Sequence, residues 1–357
     1  MSAIQVNIPG RAYDIVCESG VLDRAGALLR PLLKGDLAVI VTDTNVEPLY
    51  AARLARSLHQ SGFTAAVLEI PAGEQSKSPE VLAELWEQMV DLGLTRSDSV
   101  IALGGGVVGD LSGFAAATVL RGVSFVQIPT TLLAQVDSSV GGKVAVDLQA
   151  GKNLAGAFYQ PKLVLMDPDC LKTLPDRVFA DGMAEVIKYG CIWDRRLFAL
   201  LARLGNREAV SARIGEIALR CCDIKRQVVE QDEFDTGLRM LLNFGHTLGH
   251  VYEKAYNYEK YTHGEAVAAG MVAAAKIGQL LGVTPAGPDR EIAGVLRQFG
   301  LPTAIAARPE GYAAALTKDK KGDGAMISFI ALREIGRSEP VRMEKKRLLE
   351  LVQEAGL

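Results

Sequence analysis

Histidine is scarce in this 357-residue chain, with four in all, and cysteine is little used, with five. The cysteines (Cys17, Cys170, Cys191, Cys221, Cys222) are odd in number, scattered and without a C-x-x-C pair. That argues against a disulfide framework and leaves reduced structural thiols of a cytosolic protein. Charge of neither sign dominates: 39 Lys and Arg against 42 Asp and Glu give a net −3, so no global attraction to nucleic acid or an anionic membrane is expected. Long apolar runs are missing too. The longest small-apolar stretch, Ala266 to Ala275, lies between Glu265 and Lys276, far short of the ~20 residues of a bilayer span. The opening residues, Met-Ser-Ala-Ile-Gln-Val-Asn, have neither the basic start nor the apolar core of a signal peptide. What is present, 49% hydrophobic and 23% charged residues, is the composition of a globular protein long enough for two domains.

The scarce histidines are crowded. Three of the four, His246, His250 and His263, fall within eighteen residues, and imidazole is the commonest neutral metal ligand. His246 and His250 are four apart and share a helix face, while His263 opens the following helical pattern. Two histidines from adjoining elements leave room for a third ligand, often a carboxylate. A set of hydrogen-bonded core histidines is the alternative.

Two halves follow different patterns. Up to about residue 170, short apolar runs end in polar, Gly- or Pro-bearing loops: Leu37–Thr42, Thr64–Ile70, Ser99–Leu103, Val123–Ile128 and Lys162–Met166. Helical stretches such as Pro79–Leu92 and Leu111–Leu120 lie between them. This alternation predicts an α/β fold with a largely parallel, Rossmann-like sheet over residues 1–173, binding ligands at the carboxyl ends of its strands. From about Leu174 the periodicity is helical, over Asp176–Tyr189, Arg195–Leu204, Glu208–Val229, Leu238–Ala255, Gly264–Leu281, Asp289–Phe299 and Lys345–Glu354. It predicts an all-α domain over 174–357, with the active site in the cleft between the two domains.

Gly104-Gly-Gly-Val-Val-Gly109 fits G-x-G-x-x-G after a strand and before a helix, a pattern that brings backbone N–H groups to a pyrophosphate. It follows a late strand and has no acidic residue about twenty positions on; Asp43, ending an earlier strand, is the candidate ribose partner. Asp137-Ser-Ser-Val-Gly-Gly-Lys143, with Lys152 and Asn153 close behind, is a polar, lysine-bearing stretch suited to phosphate or carboxylate. In Met183-Ala-Glu-Val-Ile-Lys188, Glu185 is the candidate third metal ligand, and an i,i+3 ion pair with Lys188 is the alternative. Lys225, Arg239 and Lys318-Asp-Lys-Lys321 add cations that point to a polyanionic substrate such as a phosphorylated sugar acid.

Taken together and in order, six segments resemble 3-dehydroquinate synthase over nearly the whole chain. They are Pro71–Lys77, Gly104–Asp110, Asp137–Lys143, Gly151-Lys-Asn153, Met183–Lys188 and Gly237-Leu-Arg-Met-Leu-Leu-Asn-Phe-Gly-His246-Thr-Leu-Gly-His250. The resemblance implies an NAD- and divalent-metal-dependent enzyme, with zinc the usual metal and cobalt an alternative. Such an enzyme converts 3-deoxy-D-arabino-heptulosonate 7-phosphate to 3-dehydroquinate and phosphate in the shikimate pathway. It also implies a cytoplasmic homodimer. By resemblance the metal ligands are Glu185, His246 and His263, and the catalytic group comprises His250, Lys143, Asp137 and Asp235, where the family usually has Glu in place of Asp235. NAD contacts fall on Asp43, Asn45, Glu74, Gln75, Ser76, Lys77, Gly106, Val107, Val108, Gly109, Asp110, Thr130, Thr131, Lys143, Lys152, Cys170, Leu171, Lys172 and Thr173. Substrate contacts fall on Asp137, Lys143, Asn153, Lys188, Lys225, Arg239, Asn243, His250 and a lysine of the 318–321 cluster, taken as Lys320. Arg121 is expected to reach the substrate phosphate from the neighbouring subunit.

Three rivals remain: a sugar-phosphate cyclase with another substrate, such as a 2-deoxy-scyllo-inosose synthase; a metal-dependent polyol dehydrogenase; and an inactive metal-binding scaffold.

Overall fold

The structure is a computed structural model describing residues 2–306 and 325–357. It packs into two compact units: Met1–Pro175 with Ala218–Phe234, and Asp176–Ile217 with Asp235–Leu357.

The first unit is built on strands β1 (Ser2–Val6), β2 (Tyr13–Cys17), β3 (Leu37–Asp43), β4 (Thr64–Ile70), β5 (Ser99–Gly104), β6 (Ser124–Pro129) and β9 (Leu163–Met166). They form one sheet in the order β1-β2-β9-β6-β5-β3-β4, parallel except for the β1–β2 hairpin. The continuous apolar strands are explained by cover on both faces. Ala38 and Ile40 of β3 join a cluster with Leu54 and Leu58 of helix α2 (Ala52–Gln60), which also includes Leu29 of α1 (Ala25–Leu29). Val39 and Val41 point the other way, into a cluster with Leu85 of α3 (Pro79–Asp91) and Leu111 and Ala115 of α4 (Gly106–Thr118). This is the two-residue period of a strand buried on both sides. Strands β7 (Lys143–Leu148) and β8 (Gly151–Phe158) form a separate antiparallel hairpin. All five cysteines are buried and none is in a disulfide; burial first, with the Asp167 charge adding, pushes the Cys17 thiol up to about 11 and the Cys170 thiol up to about 12, as expected of inert structural thiols.

The second unit holds helices α5 (Asp176–Ile192), α6 (Arg195–Leu204), α7 (Arg207–Ser211), α9 (His246–Ala255), α10 (His263–Leu280), α11 (Pro288–Gln298) and α12 (Lys345–Glu354). Helix α8 (Ile214–Gln231) lies between α7 and α9 in sequence. Among the described residues, no helix is long and apolar enough to cross a membrane.

Four expectations need correction. The second unit is not all-α, since β10 (Met326–Glu334) and β11 (Arg337–Glu344) pair as an antiparallel hairpin. Residues Ala218–Phe234 belong with the first unit, because Leu219, Cys222 and Val229 pack on Ile15, Val164 and Met166. The helix expected over Glu208–Val229 is interrupted at Ala212 and Arg213, between α7 and α8. The helix expected over Leu238–Ala255 is a 3-10 segment, Leu238–Asn243, followed by α9.

Candidate active site

Helix α5 buries Met183, Ala184, Val186 and Ile187, and Glu185 sits among them with 1% of its surface exposed. A carboxylate held that deep needs partners. Lys188, one turn on and equally buried, ion-pairs with it. On the other side, Nε2 of His246 lies 3.4 Å and Nε2 of His263 lies 3.6 Å from Oε1 of Glu185. One ligand atom from each of the three residues lies within 4.8 Å of the others. Two imidazole nitrogens and a carboxylate oxygen, converging from three helices, suit a borderline divalent ion such as zinc or cobalt and leave coordination positions for substrate. His250 is exposed and outside this triad, its ring centroid 5.7 Å from that of His246 and 6.4 Å from that of His263.

The two histidines of this triad are wired differently. Nδ1 of His246 is 3.2 Å from the carbonyl of Phe244, and Nδ1 of His263 is 3.4 Å from Oε1 of Glu253. Burial drives the pKa of His246 down to about 3, against the pull of Glu185. Burial lowers that of His263 as well, but hydrogen bonds to Glu185 and Glu253 outweigh it and raise it to about 10.

Local sequence explains why these groups meet. Thr262 and Glu265 form a capping box that starts α10 at His263, a device worth about 1 kcal/mol. Beyond it, the alanine-rich face from Ala266 to Ala275 is buried. Gly245 turns the chain into α9 with φ 80°, and a Cβ there would meet Met271 Cγ at 2.6 Å. Such a left-handed turn favours glycine. Gly264 is pressed against α5, where a Cβ would lie 2.1 Å from the Asp181 carbonyl oxygen. The Gly264 N–H donates to Oδ1 of Asp181 at 2.6 Å, and Arg177 grips Glu265 with two bonds of 2.8 Å. Helices α5 and α10 are thereby pinned at the level of the triad.

In the first unit, strand register gathers the dinucleotide segments. Thr42 lies opposite Leu103, so Asp43 and Gly104 end neighbouring strands, and Gly104 lies opposite Pro129, just before Thr130 and Thr131. Because β4 and β5 flank β3 on opposite sides, the connections diverge there, the position where open α/β sheets bind ligands. The late glycine motif therefore has an acidic residue, Asp43, at the end of the adjacent strand. Helix α4 starts after Gly105 with no side-chain cap and no acid in its first turn, leaving N–H groups suited to a phosphate. A Cβ on Gly109 would meet Oε1 of Gln127 on β6 at 2.7 Å, so that glycine serves close helix–strand packing. The residues present therefore fit a dinucleotide.

Lys77 Nζ bridges Oδ2 of Asp110 at 2.6 Å and Oδ1 of Asn153 at 2.5 Å; burial pushes the Asp110 carboxyl up and Lys77 opposes it. Asn153 holds φ 57° on β8, with its N–H on Asp147. Lys152 pairs with Glu74 at 3.4 Å, while exposed Lys143 begins β7. Asp43 Oδ1 accepts from Asn45 N, and Gln75 and Ser76 bond within their own turn, to Ala72 and Pro71. Lys225 reaches Oδ1 of Asp137 at 2.9 Å. Tyr50, unanticipated from sequence, donates to the Cys170 carbonyl and meets Oγ1 of Thr173 at 2.7 Å, fixing the segment that holds Leu171 and Lys172. In the second unit Arg239 is buried, Asn243 exposed and Asp235 left-handed with φ 59°. Arg121 is exposed in the turn before β6, at the opposite end of the strand from Thr130; Leu120 and Arg121 are both left-handed, with φ 50° and 68°. Lys320 lies outside the described residues. Sequence reasoning also missed Glu253, although its spacing of seven from His246 puts it on the same helix face.

Residues 67–181 match the family model for the 3-dehydroquinate synthase N-terminal region, and residues 182–322 that for its C-terminal region. A 3-dehydroquinate synthase of Clostridium beijerinckii is 49% identical over 339 residues, covering 95% of this chain and 97% of that protein. The chain belongs to the 3-dehydroquinate synthase family. As a member it is an enzyme of the phosphate-eliminating carbon–oxygen lyase class. Similar folds recur in solved structures. A 2-deoxy-scyllo-inosose synthase complexed with carbaglucose-6-phosphate, NAD+ and Co2+ aligns with TM-score 0.89 at 26% identity, covering 99% of this chain and 100% of that one. The 2-epi-5-epi-valiolone synthase of Streptomyces hygroscopicus, with NAD+ and Zn2+ bound, aligns with TM-score 0.86 at 28% identity, covering 96% of each chain. The 3-dehydroquinate synthase family is thus favoured over the other cyclases by sequence identity.

Proposed function

We propose that this chain converts 3-deoxy-D-arabino-heptulosonate 7-phosphate into 3-dehydroquinate and phosphate, as a cytoplasmic homodimer using NAD and one divalent metal, zinc in the native protein. The observation that carries the reading is the convergence of Glu185, His246 and His263 in a chain 49% identical to a 3-dehydroquinate synthase. The overall change is redox-neutral: a substrate carbinol is oxidised, phosphate is eliminated, the ketone is reduced again, and the ring opens and recloses by an aldol step. The bound groups supply a hydride acceptor and a Lewis acid that acidifies coordinated hydroxyls.

The chain's own residues then bind, orient and move protons. Glu185, His246 and His263 hold the metal. Asp43 and Asn45, the Glu74–Lys77 turn, Gly106–Asp110, Thr130, Thr131, Lys152 and Cys170–Thr173 hold NAD. Lys143, Asn153, Lys188, Lys225, Arg239, Asn243 and Lys320 offset the carboxylate and phosphate charge and fix the substrate's orientation, work that is mainly positional. His250, exposed beside the triad, moves protons, with Asp137, Lys143 and Asp235 in support. Arg121 of the partner subunit completes the phosphate site, since its own sheet carries it at the wrong end; paired left-handed residues at 120 and 121 are strain of the kind kept at functional positions.

The test is a product assay with pure protein, NAD and zinc, offering either the heptulosonate phosphate or a hexose 6-phosphate. Turnover of the first alone is expected. Turnover of the hexose 6-phosphate alone would assign the chain to another cyclase.

A further inference from the structure

Helix α9 presents His246, His250 and Glu253 at positions i, i+4 and i+7, one continuous face. Of these, Glu253 has no place in the chemistry described so far. It is 4% exposed, and burying a carboxylate is unfavourable unless something holds its charge. Its Oε1 lies 3.4 Å from Nδ1 of His263, whose other nitrogen, Nε2, faces Glu185 at 3.6 Å. An imidazole that is to bind metal through Nε2 must carry its proton on Nδ1, and a carboxylate is the strongest acceptor for that proton. His246 is arranged the same way, with Nε2 toward Glu185 and Nδ1 against the Phe244 carbonyl. The two devices differ in one respect: the carbonyl is fixed by backbone, whereas Glu253 brings a full negative charge from a neighbouring helix.

We propose that Glu253 is a positioning residue for the metal site, accepting the Nδ1 proton of His263 so that Nε2 is held as the ligating atom. This rests on the reading of Glu185, His246 and His263 as metal ligands. The carboxylate fixes the tautomer and the ring plane of His263, and makes that imidazole the more basic donor of the pair. Capping by Thr262 and Glu265 fixes where α10 begins; Glu253 fixes which nitrogen of its first residue faces the metal.

The experiment compares wild type with Glu253→Gln and Glu253→Asp. Zinc and cobalt affinity is measured by chelator competition, folding by circular dichroism, and imidazole tautomers by proton–nitrogen spectra, which a chain with four histidines keeps simple. The expected result is a loss of about 10–100-fold in metal affinity for Glu253→Gln, with the fold retained and the His263 Nδ1–H signal of the metal-loaded protein lost or broadened. Glu253→Asp, which keeps the charge, should recover part of both. Metal bound by Glu253→Gln as tightly as by wild type, or metal on Nδ1 of His263 in wild type, would overturn the proposal. Should Glu253→Gln fail to fold, wild-type affinity and spectra in Glu253→Asp and an unprotonated Nδ1 in wild type would overturn it equally. A wild type that binds no metal would overturn the ligand assignment itself, and is told apart because the defect then precedes any substitution.

Discussion

Gly264→Ala is a one-methyl change with opposite local and tertiary effects. In a helix, replacing glycine with alanine ordinarily stabilises by about 0.5–1 kcal/mol. Here the added Cβ would stand 2.1 Å from the Asp181 carbonyl oxygen and 2.8 Å from the Asp181 Cα. Non-bonded heavy atoms prefer roughly 3.5 Å, so the first turn of α10 must withdraw from α5 by roughly 1 Å or more. Both partners are backbone, so no rotamer change can relieve the contact. Overpacking of this kind costs about 1–3 kcal/mol, more than the propensity gain. The withdrawal also breaks the 2.6 Å bond from Gly264 N–H to Asp181 and carries His263 away from Glu185. Misplacing a ligand by that distance should weaken metal binding by about 100-fold, the scale of comparable catalytic misalignments. Cobalt titration followed by its visible absorption, with thermal unfolding of the metal-free protein, reads both effects. Wild-type cobalt affinity together with a raised melting temperature would show that α5 and α10 are not pinned as described.

Glu185→Gln, His246→Ala and His263→Ala should each lose bound metal by more than the about 10–100-fold of an outer-sphere change, with circular dichroism unchanged; full occupancy by mass spectrometry in all three would sink the ligand assignment. Arg121→Ala and Lys143→Ala should each be nearly inactive, yet mixed under subunit exchange they should recover up to roughly a quarter of wild-type activity, since half the dimers then hold one intact site; verified heterodimers as dead as their parents would place Arg121 in its own subunit's chemistry or in none. For Asp98, burial raises the carboxyl pKa, but hydrogen bonds from Thr95 and Leu37 outweigh this and hold it below the usual value. Its contribution is therefore present above the unfolded pKa of about 3.9 and lost as pH falls through the lower folded value; Asp98→Asn should cost about 1–3 kcal/mol at pH 7 in urea unfolding and progressively less in acid.

The parallel core was legible because its strands are continuous apolar runs ending in Gly, Pro or Asp: β3, β4, β5, β6 and β9 lie where that pattern put them, within a residue or so at their ends. The hairpins were not. Strand β8, Gly-Lys-Asn-Leu-Ala-Gly-Ala-Phe, has small residues and two glycines, and only its pairing with β7 makes it a strand. In the β10–β11 hairpin, four consecutive residues of β10, Phe329 to Leu332, are buried, and β11 holds Pro340 among charged residues, so neither strand shows the two-residue alternation. The break between Leu238–Asn243 and α9 falls at Gly245, where φ is 80° and an added Cβ would meet Met271 and the Val267 carbonyl of α10, a close approach that exists only once the helices have packed. At the metal site the histidine crowding and the buried setting of Glu185 were visible in the sequence. Asp181 and Glu253 were not, since their roles depend on which nitrogen and which N–H they face once three helices have packed.

The reaction proposed for this protein is a redox-neutral elimination at a metal site. It is tested most directly by following inorganic phosphate and NADH absorbance together in one reaction of protein, zinc, catalytic NAD and 3-deoxy-D-arabino-heptulosonate 7-phosphate. Phosphate release far in excess of the NAD present is expected, with the NADH band flat throughout and no turnover once a chelator has stripped the metal. NADH accumulating in step with substrate consumed, or phosphate released equally well after the metal is removed, would contradict it.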